Sequence, residues 1–559
     1  MKEWWQSEII YQIYPRSFQD SNQDGIGDIQ GIIQRLDYLH ELGITTIWIS
    51  PIFESPMADN GYDISNYFGI ASEFGTMEDF KELVLEAKKR QIKILLDLVV
   101  NHTSDEHPWF QQALADPQSK YRDYYIFKSG KKRPNNWRSI FGGSVWEKLP
   151  NEDMYYYHTF HKKQPDLNWE NPQLRSEIHQ MIIQWLQMGI AGFRVDAITF
   201  IKKDLSFKSI EPDGVDGLAK CTKVSRNQPG IEVFLKELQE KCFQPFKAVT
   251  VAEAPGVNYD ELDQFIGKDG FFSMIFDFKA ADLDVKSGSE WFKPVQWQLK
   301  DLYQKIENSQ LAIQKVGWGA PFIENHDQNR ATSKYLKEHA TNPTAQKALA
   351  LMYFYLYGTP FIYQGQEIGM INFQRPGIAA FDDISSIDQY HRGIQEGLTP
   401  SESLAVINYR SRDNARTPMQ WTNEKYVGFS NVRPWLAITE QSAMRNVEAQ
   451  MKDESSLWHF YKALISLKKM PEYAELTFGQ IAFLPRINDE IFIYRRYSDD
   501  KSFLVVCNLT NKEQMIQLDS PIKKIIFKNE ASYELDDNEL KLSPFAALVL
   551  QEEIENGRK

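Results

Sequence analysis

Cysteine is nearly absent: three in 559 residues, at Cys221, Cys242 and Cys507. So few and so scattered, they make neither a disulfide framework nor a zinc site. Long apolar runs are missing as well. No stretch approaches the roughly 18 residues of a membrane-spanning helix. The N-terminal Met1-Lys2-Glu3-Trp4-Trp5 has no basic segment followed by an apolar one, so no secretory signal is expected. Positive charge is in the minority, 63 Lys and Arg against 76 Asp and Glu, for a net −13. Binding to a phosphate backbone needs clustered cations, so nucleic acid is excluded as a partner. The expectation is a cytoplasmic protein, monomeric, with no membrane or nucleic-acid partner. Its length exceeds a single ordinary core, so more than one domain is expected.

What stands out is a set of three carboxylates. Asp196, Glu253 and Asp327 each end a short strand-like apolar run, residues 191–196, 249–253 and 321–327. A carboxylate at the buried end of a strand is costly unless it acts there. Three at similar chain intervals point to one shared pocket. Several acids with few thiols suggest carbohydrate chemistry. Aromatics are 13% of the chain, with 14 Trp and 26 Tyr. That suits stacking on sugar rings, although most must serve the core.

Strand-like and helix-like patterns alternate through about the first 470 residues. Strands are predicted at 9–14, 45–50, 92–100, 191–196, 249–253, 272–278, 321–327 and 359–364. Helices are predicted at 29–42, 77–90, 172–188, 231–240, 295–311, 345–357 and 457–469. Eight strands alternating with helices make a (β/α)8 TIM barrel, an α/β fold whose active site lies at the C-terminal strand ends. Residues 103–171, rich in aromatics, Gly and Pro, form an inserted domain after the third strand. Residues 1–102 and 172–475 are the barrel. Residues 476–559 shift to short alternating runs and read as a C-terminal antiparallel β-domain.

Four segments then specify a family. Asp97-Leu98-Val99-Val100-Asn101-His102, Gly192-Phe193-Arg194-Val195-Asp196-Ala197, Val251-Ala252-Glu253-Ala254 and Glu324-Asn325-His326-Asp327 resemble the four signature regions of the α-amylase family, glycoside hydrolase family 13. Gln164-Pro165-Asp166-Leu167-Asn168-Trp169 resembles its fifth, in the form found in the oligo-1,6-glucosidase, dextran glucosidase and α-glucosidase subgroup. The resemblance implies Asp196 as nucleophile, Glu253 as acid/base and Asp327 as a third acid holding the sugar. Retaining cleavage needs two such carboxyls about 5–5.5 Å apart. Arg194 shares a strand face with Asp196, so its guanidinium is expected to lower the Asp196 pKa. His102 and His326 follow as sugar donors, with Asp97 and Asn101 as supports.

The same resemblance places Asp59 on the outer hydroxyls of the nonreducing glucose and the Tyr62 ring on its face. An Arg pairs with that Asp and closes the pocket: Arg412 by preference, or Arg416. Phe141 and Phe160 wall the pocket. Ala197, next to the nucleophile, borders the cleaved bond. A Val there accompanies strict α-1,6 action in similar enzymes, and Lys293 lies where such relatives contact the second sugar. Gln366-Glu367 stands where many relatives have two Glu, a difference expected to alter contacts beyond the cleaved bond. Asp20, Asn22, Asp24, the Ile26 carbonyl and Asp28 place oxygens at every second residue of a turn. In relatives such a loop holds structural Ca²⁺; the alternative is an Asx-rich turn.

The reading is thus an exo-acting, retaining α-glucosidase for short isomalto- or malto-oligosaccharides or sucrose. Trehalose-6-phosphate hydrolysis stands as an alternative. So does glucosyl transfer or sucrose isomerisation, although the Arg-Leu-Asp-Arg-Asp stretch of sucrose-isomerising relatives is missing after Asp327. A non-catalytic scaffold would lack the acids and carry a membrane span.

Overall fold

Buried on both faces, the first strand, β1 (Ile10–Ile13), belongs inside a sheet. Its neighbours follow the same rule: β2 (Thr46–Ile49), β3 (Lys93–Leu98), β4 (Gly192–Val195), β5 (Val249–Glu253), β6 (Met274–Phe276) and β7 (Phe361–Tyr363). The computed structural model describes residues 2–150, 152–286, 290–438, 445–485 and 488–553. In it these strands pair in parallel, in the order β6-β5-β4-β3-β2-β1-β7. Residues 319–321 close the circle. Gly319 bridges Ile275 in parallel, the Ala320 N–H donates to the Ile275 carbonyl at 3.1 Å, and the Phe361 N–H to the Pro321 carbonyl at 2.9 Å.

The strand expected at 321–327 is therefore only a short stave ending where that strand should begin. Pro321 has no N–H to continue a ladder. The chain then turns, with Asn325 Oδ1 accepting from the Asp327 N–H at 2.8 Å. Ile10, Trp48, Leu95, Val251, Met274, Phe276 and Phe361 fill the barrel interior. That apolar plug leaves the polar residues at the C-terminal strand ends.

The outer helices start where local chemistry allows. Met77–Lys89 begins on a Thr76–Asp79 capping box. Pro172–Gln187 and Pro343–Phe354 each have an Asn cap followed by Pro in the first turn. The helix expected over 29–42 is two, Ile29–Gln34 and Leu36–Leu42, broken at Arg35. Several helices were not foreseen, two of them long. Ile384–Gln395 and Pro400–Arg410 pack as a hairpin before Arg412.

After β3, strands Phe127–Ser129, Trp146–Lys148 and Met154–Tyr157 form a small antiparallel sheet. Its core of Trp137, Trp146 and Tyr157 is completed by Phe207 and Cys221. Those two come from the long loop after β4, whose Ala219–Lys220 pairs with Trp137–Arg138. Behind the barrel, Gln480–Phe483, Ile491–Tyr497, Ser502–Asn508, Ala547–Glu552 and Ile522–Lys528 form a five-stranded antiparallel sheet. Residues 486–487 and 554–559 of the expected C-terminal domain lie outside the described residues. All three cysteines are buried and unpaired.

Candidate active site

The parallel register sets the acids side by side. Arg194 of β4 lies opposite Asp97 of β3 and Val251 of β5. One residue beyond the ladder, Asp196 stands beside Glu253 on the next strand. Arg194 is fully buried and grips Asp97, Asp196 and Glu253. Its Nη1 donates to Asp97 Oδ1 at 2.7 Å and Asp196 Oδ1 at 2.6 Å, and its Nη2 to Glu253 Oε2 at 2.6 Å. Burial opposes its charge, but those carboxylates hold the guanidinium pKa well above its ordinary value.

The effect of Arg194 on Asp196 differs from expectation. Burial raises the Asp196 carboxyl well above its usual range, and the charges of Glu253 and Asp97 add to the rise. Arg194 pulls downward and does not win. Asp97 is pushed up to about 6 by burial in the same way. One guanidinium facing three carboxylates leaves excess negative charge, so the cluster tends to retain a proton. A second donor also reaches Glu253 Oε2, the Ala197 N–H at 3.0 Å. To aim that N–H, Ala197 takes a left-handed φ of 42°. Such a conformation costs a non-glycine residue about 1–3 kcal/mol and is kept only where neighbours impose it.

Asp327 stands across the cavity with cations of its own. Arg416 Nη2 donates to its Oδ1 at 2.8 Å and Arg412 Nη1 at 3.2 Å. Burial works to raise this carboxyl, but His326 and the two guanidiniums outweigh it and hold it far below the usual range. His326 is itself pushed down to about 3 by burial. At neutral pH the guanidiniums therefore carry that positive charge. Arg412 also binds Asp59, Nη2 to Oδ1 at 3.1 Å, and Asp383, which caps the first helix of the hairpin. Gln164 donates to the other Asp59 oxygen at 3.1 Å. The Asp59–Arg412 pair is the preferred one of the two considered.

Asp59, Tyr62, His102, Phe141, Phe160, Asp196, Ala197, Glu253, Asp327 and Arg412 all line one cavity of about 360 Å³. Arg194, His326 and Arg416 lie behind its wall. His326 bonds the Tyr62 hydroxyl through Nε2 at 2.6 Å and Gln12 through Nδ1 at 2.7 Å. His102 Nε2 lies 3.0 Å from the Tyr62 carbonyl, and burial lowers its pKa. Phe160 packs between His102 and Phe141, and Arg412 lies over the Phe141 ring.

Several lining residues were missed. Lys220 and Arg226 come from the loop after β4. Phe278 and Asp282 follow β6, Gln328 follows Asp327, and Arg410 ends the unforeseen hairpin. Lys293 does not line the cavity; it pairs with Glu290 at 2.9 Å and Glu396 at 3.5 Å. Gln366 and Glu367 do not line it either. Gln366 donates to the Tyr353 and Tyr461 hydroxyls, and Glu367 accepts from Tyr11 and Tyr38. The turn at Gly365 (φ 85°) sends both between the barrel and its outer helices, so the expected contact beyond the cleaved bond is not made.

The loop from Asp20 to Asp28 uses its oxygens internally. Asp20 accepts N–H groups of Asn22, Gln23 and Gly25 and the Ser430 hydroxyl. Asp28 accepts from Ser21 and caps the helix at Gly31. Asn22 and Asp24 bond each other, and Asp24 also accepts from Ile26 N–H. The donor set is all oxygen, as a hard cation requires, and Asn22 and Asp24 keep unused lone pairs. Among the described residues no three His, Cys, Asp or Glu side chains converge as metal ligands.

Comparison with known proteins agrees with this geometry. The α-amylase catalytic domain family matches residues 12–476, and the C-terminal domain of α-amylase SusG matches residues 491–549. The chain is 45% identical over 519 residues to probable oligo-1,6-glucosidase 3 of Bacillus subtilis, covering 91% of each chain. It is 40% identical over 559 residues to oligo-1,6-glucosidase of Parageobacillus thermoglucosidasius, covering 98% of each. The crystal structure of isomaltulose synthase from Erwinia rhapontici superimposes with a TM-score of 0.94 at 35% identity, covering 99% of both chains.

Proposed function

The chain belongs to the α-amylase family, glycoside hydrolase family 13, and we propose that it is a retaining α-glucosidase removing single glucose units from the nonreducing end of short α-glucosides. The observation carrying this is a cavity with a coupled acid pair at one side and an ion-paired end at the other. The Asp59–Arg412 bridge in the cavity wall supports exo-attack. The shared grip of Arg194 on Asp196 and Glu253 supports the short carboxyl spacing of retention.

In this reading Glu253 protonates the glycosidic oxygen while Asp196 attacks the anomeric carbon. Glu253 then takes a proton from water, which releases α-glucose. Asp327 stays ionised between two guanidiniums, in place to hold sugar hydroxyls as positive charge develops on the ring. The names of the relatives support α-1,6 linkages among the substrates. The small Ala197 supports wider use. Proton NMR of early products from isomaltose, maltose and sucrose tests this: α-glucose should appear first. Initial β-glucose, rapid internal cutting of soluble starch, or isomerised sucrose as the main product would refute it.

The loop from Asp20 to Asp28 is proposed to hold a structural Ca²⁺ through Asp20, Asn22, Asp24, the Ile26 carbonyl and Asp28. The ion would tie the loop together remote from the acids. A chelator should then lower the melting temperature, since the bound ion stabilises only the folded state, and excess Ca²⁺ should restore it. An unchanged melting temperature would end the idea. No helix among the described residues is long and apolar enough to cross a membrane. A cytoplasmic location and a monomeric state complete the proposal, the former supported by the three unpaired cysteines.

A further inference from the structure

Two residues before Arg412, the same segment sends a second arginine into the cavity wall. Arg410 lines the catalytic cavity together with Gln328, the residue after Asp327, and both are buried. Beside them lies Asp282, which also lines a neighbouring cavity past Pro255 and Phe278. Asp59, Tyr62 and His102 line only the first of the two. Asp282 therefore marks the end away from the Asp59–Arg412 bridge, where the leaving sugar of an exo-acting enzyme lies.

Arg410 is held from behind. Its Nη2 donates to Asp282 Oδ1 at 2.6 Å, and its Nη1 lies 3.3 Å from Asp284 Oδ1. The same Asp284 oxygen pairs with Lys334 Nζ at 3.0 Å. Lys334 is buried and also donates to the Ala281 carbonyl. Two cations and two carboxylates balance there, in a place where an unpaired charge would be costly. In front, Arg410 Nη1 donates to Gln328 Oε1 at 2.9 Å. A guanidinium has donors and no acceptor. It therefore decides which way round the Gln328 amide lies: the oxygen meets Arg410, and the N–H2 group turns away from it. Gln328 Nε2 is 3.5 Å from Asp282 Oδ1, at the limit of a hydrogen bond. Its donors are thus largely unspent, in the wall of the cavity and next to Asp327.

We propose that Arg410 is a positioning residue for the leaving sugar: by taking Gln328 Oε1 it turns the amide N–H2 into the cavity as a donor to an oxygen of that sugar, and the Asp284–Lys334 pair keeps Arg410 in place. This rests on the glucosidase reading above and assigns part of its selectivity for the leaving group.

The test compares kcat/KM on isomaltose with kcat/KM on p-nitrophenyl α-glucoside, whose leaving group is not a sugar. Gln328→Glu keeps a partner for Arg410 and removes only the N–H2 donors. It should lower the ratio of isomaltose to p-nitrophenyl α-glucoside by about threefold to tenfold, the worth of one hydrogen bond. Arg410→Met should lower the ratio as well, and Arg410→Lys, again a donor-only cation, should recover part of it. If Arg410 acts through Gln328, Arg410→Met added to Gln328→Glu should lower the ratio no further. A ratio unchanged in Gln328→Glu, or losses that multiply in the double variant, would overturn the proposal. Should Arg410→Met fail to fold, Gln328→Glu decides alone, since it leaves the buried ion pairs intact. If wild type cleaves neither compound, it is the glucosidase reading that fails. Calorimetric titration of isomaltose and glucose into Asp196→Asn, with and without Gln328→Glu, then judges the donor by itself. A preference for isomaltose that falls with Gln328→Glu supports it; no preference, or one that Gln328→Glu leaves intact, ends it.

Discussion

Asp196→Asn keeps the size of the side chain and one acceptor for Arg194, but it is no nucleophile. Glu253→Gln likewise keeps an acceptor for Arg194 and the Ala197 N–H, and cannot deliver a proton. Each should lower turnover by several orders of magnitude, about 10³-fold or more, with an unchanged circular dichroism spectrum. Wild-type rates from purified Asp196→Asn would remove the mechanism. Ala197→Val adds two methyl groups at the cavity wall. It should change the ratio of kcat/KM on maltose to that on isomaltose by a factor set by about 1–3 kcal/mol; an unaltered ratio would show that Ala197 does not select the linkage. These acids were legible in the sequence because a strand end is a fixed place in a barrel. Arg226 and Arg410 were not legible. Each reaches the cavity through packing between segments far apart in the chain, and no local pattern encodes that. The rise of the Asp196 pKa was hidden for a related reason: burial and neighbouring charge belong to the assembled site.

The hairpin of Ile384–Gln395 and Pro400–Arg410 carries a pH response. Burial pushes the Asp388 carboxyl up to about 7, against the pull of Arg392 and Arg138. In the unfolded chain such a group ionises near pH 4. Between these values the folded protein keeps a proton that the unfolded one releases, so stability falls as pH rises from about 4 to 7 and then levels. Asp388→Asn removes that loss. The melting temperature of the variant minus that of wild type should therefore grow from pH 4 to pH 7, by an amount reflecting roughly 2–4 kcal/mol, and flatten above. A difference independent of pH would refute the assignment. Signals for this hairpin were present: Asp383 precedes Ile384-Ser385-Ser386, and Thr399-Pro400-Ser401-Glu402 is a capping box with Pro in the first turn. The apolar spacing behind them is too sparse to announce a helix. The opposite error, the strand expected over 321–327, came from an apolar run whose Pro321 ends the ladder.

Arg496 joins the two large parts of the molecule. It is fully buried on Ile491–Tyr497. It donates to the carbonyls of Tyr355 at 2.8 Å, Thr477 at 2.9 Å and Gly479 at 2.8 Å. Arg496→Met strands three buried acceptors, each worth about 1–3 kcal/mol. The melting temperature should drop by several degrees; a shift within one degree would show that water replaces the guanidinium. One apolar core runs from the barrel helices into the C-terminal sheet, so wild type should unfold in a single transition. The barrel itself was legible from the alternation of strands and helices, and the C-terminal sheet from its shorter period. The docking of one on the other was not, because it depends on which apolar faces meet and on one arginine set against backbone carbonyls that every residue carries. The closure of the barrel has a further consequence, for the timing of synthesis. β1 lies between β2 and β7, and β7 is complete only at Tyr363. At about 5–20 residues per second the ribosome takes roughly 20–70 s to supply that partner. For that interval Ile10–Ile13 presents an open, largely apolar edge interrupted only by Gln12, the kind of surface that chaperones shield and that crowded nascent chains aggregate through.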